Sequence, residues 1–238
     1  MFNFRKLVLV FFAFITYPIS SYKMIVLTGG PCAGKTSSLL ILKQKLEEIK
    51  HEDGTNKFKV LILDEIAFYL FSKGDNPEKL GVKPFQKLVF ETQLDKEKQA
   101  IENAKEIESK DFGVECIIIC DRGLIDGAAY MNLKDYDKML NERKITRQEI
   151  LDRYNLVVHL PSFATLDNDL YTNLKENRIE DKQQAKGLDK KIYDLWGGDN
   201  NQKLIKIPIT EGIESIDKDK GIKNRAEMIL KEILKIWK

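Results

Sequence analysis

Short apolar runs alternate with longer helical patterns along most of the chain. Five runs of mainly apolar, often β-branched residues have the length of buried strands: 23–28, 58–63, 116–120, 154–160 and 204–209. Four longer segments repeat apolar residues every three to four positions and are predicted as helices: 35–50, 85–110, 175–196 and 223–237. Strands that alternate with helices predict one α/β domain with a mainly parallel, five-stranded sheet.

The first 21 residues differ from the rest in composition. They contain Arg5 and Lys6, no acidic residue, and five of the 12 phenylalanines, and an apolar run at 7–15 leads to Pro18. This order is typical of a secretory signal, and the uncharged stretch is shorter than the roughly 20 residues that span a bilayer. A signal or anchor, an extension from the gene model and a buried N-terminal segment are the three interpretations. The odd number of cysteines and the absence of a glycosylation sequon weaken the secretory one.

The charge of the chain is nearly balanced. There are 39 basic and 37 acidic residues, a net charge of +2, and both excess charges belong to the leader. A neutral body has no electrostatic footprint for nucleic acid, so no nucleic-acid partner is expected. With 43% hydrophobic and 32% charged residues, the composition indicates a folded globular chain.

The clearest chemical motif is a glycine-rich segment directly after the first predicted strand. It fits the phosphate-loop pattern G-x-x-x-x-G-K-[ST] without a mismatch. We expect these residues to bind the phosphates of a nucleoside triphosphate, ATP or GTP: Gly29, Gly30, Pro31, Cys32, Ala33, Gly34, Lys35, Thr36 and Ser37. Lys35 is expected to reach the β- and γ-phosphates and Thr36 to ligate Mg²⁺. Cys32 is interpreted either as a small residue that fits the loop or as a reactive thiol at a helix N-terminus.

Charged residues follow the second and third predicted strands, where α/β folds bind ligands. Asp121 ends an apolar strand in the Walker B pattern, and we expect it to hold Mg²⁺ or accept a substrate proton. Glu65 is predicted to contact substrate, and Asp64 to cap a helix. Arg122 is interpreted as a phosphate contact or as an ion-pair partner. Asp126 is interpreted as a substrate contact or as a cap for a helix that runs to Tyr130.

Further polar residues lie within predicted helices and strands. Arg178, in the charged segment 175–196, is interpreted as a lid residue that closes on the transferred phosphate or as part of a solvated helix. The helix at 85–110 is predicted to be amphipathic and solvated, and Gln86 or Gln93 is a candidate for the substrate pocket. His159 is predicted to be a buried core histidine, and no zinc site is expected.

Several segments together resemble one family of AAA-type P-loop domains. The segments are MIVLTGGPCAGKTS, CDRGLIDGAAYM and RYNLVVHL, followed by NRIE and DLWGG. The family includes the nicotinamide riboside kinase domain of the bacterial NadR regulator and the animal TRP-channel translocation-defect protein with its protist relatives. The resemblance implies a three-layer, kinase-like P-loop fold with a helical lid. It also implies nucleotide and Mg²⁺ contacts at Lys35 and Thr36, a Walker B pair at Asp121 and Arg122, and a lid signature at Arg178 and Glu180.

Two functions are compatible with these features. The first is a Mg²⁺-dependent phosphotransferase that moves a γ-phosphoryl group to a small-molecule hydroxyl or phosphate. The alternative is a guanine-nucleotide-binding regulator of membrane trafficking with phosphoinositide contacts, as the resemblance to the animal protein implies. The sequence lacks the Asn-Lys-x-Asp guanine motif, and Gly197-Gly198-Asp199 stands where the relatives tend to have Gly-His-Pro. We expect a leader at 1–21 and a nucleotide-binding domain at 22–238, cytoplasmic unless the leader is a working signal.

Overall fold

The computed structural model describes residues 21–166, 171, 180–209 and 218–237, and these form a layered α/β unit. Five parallel strands lie in the order β2-β3-β1-β4-β5. In chain order they are β1 Lys23–Thr28, β2 Phe58–Leu63, β3 Glu115–Asp121, β4 Leu156–His159 and β5 Leu204–Lys206. Because β1 is central and parallel to both neighbours, the segments that follow β1, β3 and β4 meet at one edge of the sheet. Leu27 is in register with Asp121, which places the two motifs side by side.

Helices cover both faces of this sheet. In chain order they are α1 Lys35–Glu47, α2 Ile66–Ser72, α3 Pro77–Leu80, α4 Val82–Lys110, α5 Leu133–Glu142, α6 Arg147–Asp152, α7 Lys182–Leu195 and α8 Lys218–Lys235. Short 3₁₀ helices span Leu124–Tyr130, Phe163–Thr165 and Gly198–Asn200. Helices α1 and α8 pack on one face, whereas α4, α7 and the 3₁₀ helix Leu124–Tyr130 pack on the other.

The alternation of side chains along β3 creates the two apolar layers. Ile117 and Ile119 face the α1/α8 layer, while Cys116, Ile118 and Cys120 face the opposite layer, and all five are fully buried. Strands covered on both faces have no polar side, which explains the continuous apolar runs in the sequence. The cysteines on β3 are free thiols, as their separation of about 13 Å along one face requires.

Several boundaries differ from the predicted ones. Strand β4 begins at Leu156 rather than 154, because the Asn155 side chain accepts the Met24 N–H instead of continuing a regular strand. Strand β5 ends at Lys206, and α4 begins earlier than predicted, after Gly81 at φ 83°. On α1, Leu39 and Leu42 are buried against the sheet, whereas Leu40 is 70% exposed on the opposite side of the helix.

Some predictions fall outside the described residues. Of the leader at 1–21, only Ser21 is described, and the part of the helix predicted at 175–179 also lies outside. Helix α7 begins at Lys182, where Asp181 and Gln184 form a capping box. Within the described ranges, no helix combines the length and the apolar character that crossing a bilayer requires.

Candidate active site

The phosphate loop between β1 and α1 depends on backbone conformations that favour glycine. Gly29 has φ 134° and Gly34 has φ 76°, and Cys32 also adopts a positive φ of 52°. A Cβ atom added at Gly29 would lie 2.0 Å from the carbonyl oxygen of Leu160. The loop therefore folds closely against the end of β4, and α1 begins directly after Gly34 with its N-terminal amides at the loop.

Lys35 lies along the inside of this loop. Its side chain is buried, and Nζ donates hydrogen bonds to the carbonyl oxygens of Gly29 at 3.2 Å and Gly30 at 3.0 Å. Burial, followed by the nearby Arg122 guanidinium, lowers the pKa of Lys35 to about 8, although the Asp121 carboxylate opposes this. The loop thus holds a cation at the place where the motif predicts phosphate oxygens.

Thr36 and Asp121 form a pair of oxygen donors beside the loop. Thr36 Oγ1 donates to Asp121 Oδ2 at 2.8 Å, and the other carboxylate oxygen, Oδ1, is buried without a hydrogen-bond partner among the described residues. Burial raises the pKa of the Asp121 carboxyl. A hydroxyl and a carboxylate are hard ligands of the kind that Mg²⁺ prefers, so the residues present fit that ion.

Arg122 joins the loop to the second strand. Its Nε donates to Glu65 Oε1 at 2.7 Å, and Nη1 donates to the Gly29 carbonyl at 3.1 Å and lies 3.6 Å from Asp126 Oδ2. The ion-pair interpretation of Arg122 therefore describes its geometry, and the same guanidinium also touches the phosphate loop. The prediction that Asp64 caps a helix is wrong: Glu65 occupies the N-cap position of α2 without a side-chain cap bond, and Asp64 is exposed.

Asp126 is buried beneath the loop and is not a helix cap. Gly123 precedes the 3₁₀ helix that contains Asp126, and that helix has no side-chain cap. The carboxylate accepts the Thr28 hydroxyl at 2.8 Å and the Trp196 indole N–H at 2.6 Å, and burial raises its pKa. Capping is excluded because these donors already fix the side chain, whereas contact with substrate stays a prediction.

A cavity of about 400 Å³ adjoins Arg122 and Asp126. It lies between α2, α4 and the 3₁₀ helix Leu124–Tyr130, and Pro31 of the phosphate loop forms part of its wall. Six aromatic side chains line it: Phe68, Phe71, Phe85, Phe90, Tyr130 and Tyr136. Its polar wall consists of Glu65, Gln86, Gln93, Arg122, Asp126 and Glu180, so both glutamines named from the sequence are present.

The sequence reasoning missed two residues that hold the loop from α7 and α8. Asp189 Oδ1 accepts the N–H of Gly30 at 2.7 Å and that of Ser162 at 3.0 Å. Arg225 is buried, donates to the Ala33 carbonyl at 2.9 Å, and has a pKa lowered to about 10 by burial. A charged residue on the buried stripe of an amphipathic helix is the sequence signal that could have found both.

The remaining candidates lie at or beyond the edges of this arrangement. His159 is buried as predicted, with Nε2 3.4 Å from Asp189. Ser37 is exposed on the first turn of α1. The predicted lid residue Arg178 lies outside the described residues, whereas Glu180, the other residue of that signature, is described and lines the cavity.

Comparison with known proteins gives a family and a fold. A family model described as an AAA domain matches residues 24–214. Among solved structures, the NadR protein in complex with NR matches with a TM-score of 0.53 and 14% sequence identity, over 87% of this chain and 51% of that one. The chain thus spans about half the length of that structure, and the likeness shows a kinase-like P-loop fold. The search of curated proteins gave no match.

Proposed function

This chain belongs to the AAA domain family and has a kinase-like P-loop fold, and we propose that it is a Mg²⁺-dependent phosphotransferase. It would transfer the γ-phosphoryl group of ATP or GTP to a hydroxyl or phosphate group of a small molecule. The observation that carries this proposal is the position of Arg122, whose guanidinium touches the phosphate loop and also lines the adjoining cavity. A donor site and an acceptor site that share one cation can place two reactants in contact.

Phosphate binding is assigned to the loop and to Lys35. The ammonium group of Lys35 donates to two loop carbonyls, and phosphate oxygens offer it stronger, charge-assisted acceptors within the same reach. The N-terminal amides of α1 add the positive end of a helix dipole. Thr36 and Asp121 would hold Mg²⁺, which when bound supplies further positive charge against the phosphate oxygens.

The acceptor is assigned to the aromatic cavity. Its walls suit a molecule with an apolar or aromatic part, while Glu65, partly exposed at the cavity, can orient a hydroxyl group. In the transfer, the acceptor oxygen forms a bond to the γ-phosphorus, the bond from that phosphorus to the bridging oxygen breaks, and the acceptor proton passes to a carboxylate. Arg122 would stabilise the negative charge that moves between the oxygens.

A metabolite screen with the full chain, Mg²⁺ and ATP or GTP tests the proposal. We expect phosphate to appear on one acceptor, and Asp121→Asn to lower turnover by about 100-fold, the size typical of a lost electrostatic contact to the transition state. Asp135→Asn is the matched control, because it removes a carboxylate from an exposed ion pair with Lys83 and should leave turnover unchanged. Tight nucleotide binding without turnover across a broad acceptor panel would contradict the proposal and favour the regulator.

A further inference from the structure

A buried carboxylate lies at the centre of helix α4. Glu97 is fully buried although the helix around it is rich in charged, exposed residues. Its Oε2 accepts Arg153 Nε at 3.0 Å and Nη2 at 2.8 Å, and its Oε1 accepts the Tyr154 hydroxyl at 2.7 Å and Gln93 Nε2 at 3.2 Å. Four donors around one carboxylate fix the orientation of each side chain that donates.

Two of these donors continue to the turn that follows β3. Gln93 Nε2 also donates to the carbonyl oxygen of Arg122 at 2.9 Å, and the Tyr154 hydroxyl accepts the N–H of Leu124 at 3.1 Å. From another side, the Tyr136 hydroxyl donates to the Leu124 carbonyl at 3.2 Å. The turn that contains Arg122 is therefore held at its backbone by side chains, and Glu97 orients two of them.

This turn requires such support because Arg122 has an unfavourable backbone conformation. Its φ of 76° lies in the left-handed region, which is unfavourable for a residue with a side chain. In this conformation the side chain donates hydrogen bonds to Glu65 and to the Gly29 carbonyl. If the carbonyl of Arg122 lost its donor, the turn could relax and the guanidinium would leave the phosphate loop.

A buried carboxylate is also a costly way to pack a helix. Burial raises the pKa of Glu97, with Arg153 acting against this from a side chain that is 30% exposed. An apolar residue would attach α4 to the sheet without this desolvation penalty. The charge is thus better explained by the orientation that it imposes than by the stability of the helix.

We propose that Glu97 and Gln93 are positioning residues that hold Arg122 in place for phosphoryl transfer. This inference rests on the proposed function. Glu97 fixes the amide of Gln93 so that nitrogen faces the Arg122 carbonyl, and Gln93 holds that carbonyl while the guanidinium reaches Glu65 and Gly29. Neither residue has to touch the nucleotide for this effect.

The main test replaces Gln93 with methionine in the full chain. Gln93→Met keeps the length of the side chain and removes both hydrogen-bond donors. We expect kcat to fall about tenfold or more, as the loss of a buried partner predicts, while the KM for nucleotide changes by less than about threefold. Glu108→Gln is the matched control. Glu108 is a polar residue of the same helix, but its carboxylate accepts the backbone N–H of Cys116, at the opposite end of β3 from Arg122.

A double substitution separates positioning from a general loss of packing. In an Arg122→Lys background, Gln93→Met should cause no further loss of kcat, because the residue that it positions has already been removed. If the effects of the two substitutions multiply, or if Gln93→Met behaves like Glu108→Gln, the inference is wrong. Glu97→Gln provides a second variant with the same expected pattern if Gln93→Met does not fold.

Nuclear magnetic resonance of the arginine Nε–H groups gives a readout that does not require turnover. The Arg122 signal is assigned by its absence in Arg122→Lys, and its bond to Glu65 should protect it from exchange in the wild type. We expect Gln93→Met to abolish that protection and Glu108→Gln to retain it. If the wild-type protein shows no turnover, only the proposed function is contradicted. If the Arg122 signal is unchanged in Gln93→Met, the positioning role is contradicted.

Discussion

The phosphate loop and the outer wall of the aromatic cavity are adjacent but are built in different ways. The loop is held at its backbone from several directions: Asp189 accepts from Gly30, Arg225 donates to Ala33 and Arg122 donates to Gly29. The cavity wall formed by α2 presents side chains instead. Phe68 is 72% exposed and Phe71 45% on a helix of seven residues.

This difference indicates which end of the site is fixed and which can vary. Phosphate is recognised by backbone groups, so its position requires a loop that many residues hold in one conformation. The cavity wall depends on a few aromatic side chains, and a substitution there alters its shape without disturbing the sheet. If the cavity holds the acceptor as proposed, substitutions on α2 would alter acceptor selectivity, whereas phosphate binding would depend on contacts from several elements of the domain.

The largest expected contrast is between two glycines of positive φ. Gly29→Ala in the loop places a Cβ atom against the Leu160 carbonyl, whereas an added Cβ at Gly74, after α2, has nothing within 4 Å. We expect Gly29→Ala to lower the free energy of unfolding by about 3 kcal/mol or more, and Gly74→Ala by only about 1 kcal/mol. Urea denaturation of both variants measures this, and equal losses would contradict the contrast.

The next effect concerns the charge of Lys35. Because the pKa of this residue is lowered to about 8, the ammonium group is lost as the pH rises above that value, and phosphate affinity should fall with it. We expect the Kd for nucleotide to increase by up to about tenfold for each pH unit above pH 8. Titration calorimetry from pH 7 to 9.5 measures this change. Lys35→Met should bind weakly with a flat profile, and a wild type with an equally flat profile would refute the assignment.

The smallest effect is expected on the cavity wall. Phe71 stacks on Phe85 with ring centroids 5.3 Å apart, and half of its surface faces outward. Phe71→Ala should raise the KM for the acceptor about fivefold, because the loss of apolar contact costs roughly 1 kcal/mol of binding free energy. The KM for nucleotide should be unchanged. Phe112→Ala, at a fully exposed phenylalanine away from the cavity, should change neither constant. An effect of Phe71→Ala on both would remove the distinction between the two regions.

Much of the fold could be predicted from the sequence because its signals are local. The bounds of β1 and β2 match the predicted runs, since a strand buried on both faces needs a continuous apolar segment. The start of β4 was predicted less well because the Asn155 side chain accepts a hydrogen bond from Met24, a residue 131 positions away. Contacts of that separation leave no periodic pattern in the sequence.

The residues of the candidate site also differ in how far the sequence predicts them. The phosphate loop and the Asp121-Arg122 pair are contiguous motifs and could be found directly. The roles of Glu97 and Asp189 could not, because each depends on donors from other elements that come together only in the folded chain. Their signal was present in weak form: Glu97 falls on the apolar stripe of α4, where a charged residue should have indicated a buried partner rather than a solvated helix.

Trp196 gives the molecule an internal optical reporter. Its indole N–H donates to Asp126, its ring lies against Gly123 and meets Tyr154 edge-on at 5.5 Å, and it is fully buried. The other tryptophan, Trp237, packs on Phe58 at the far end of the sheet. Emission from Trp196 is therefore sensitive to rearrangement around Asp126 and Arg122, while Trp237 serves as a reference in the same spectrum.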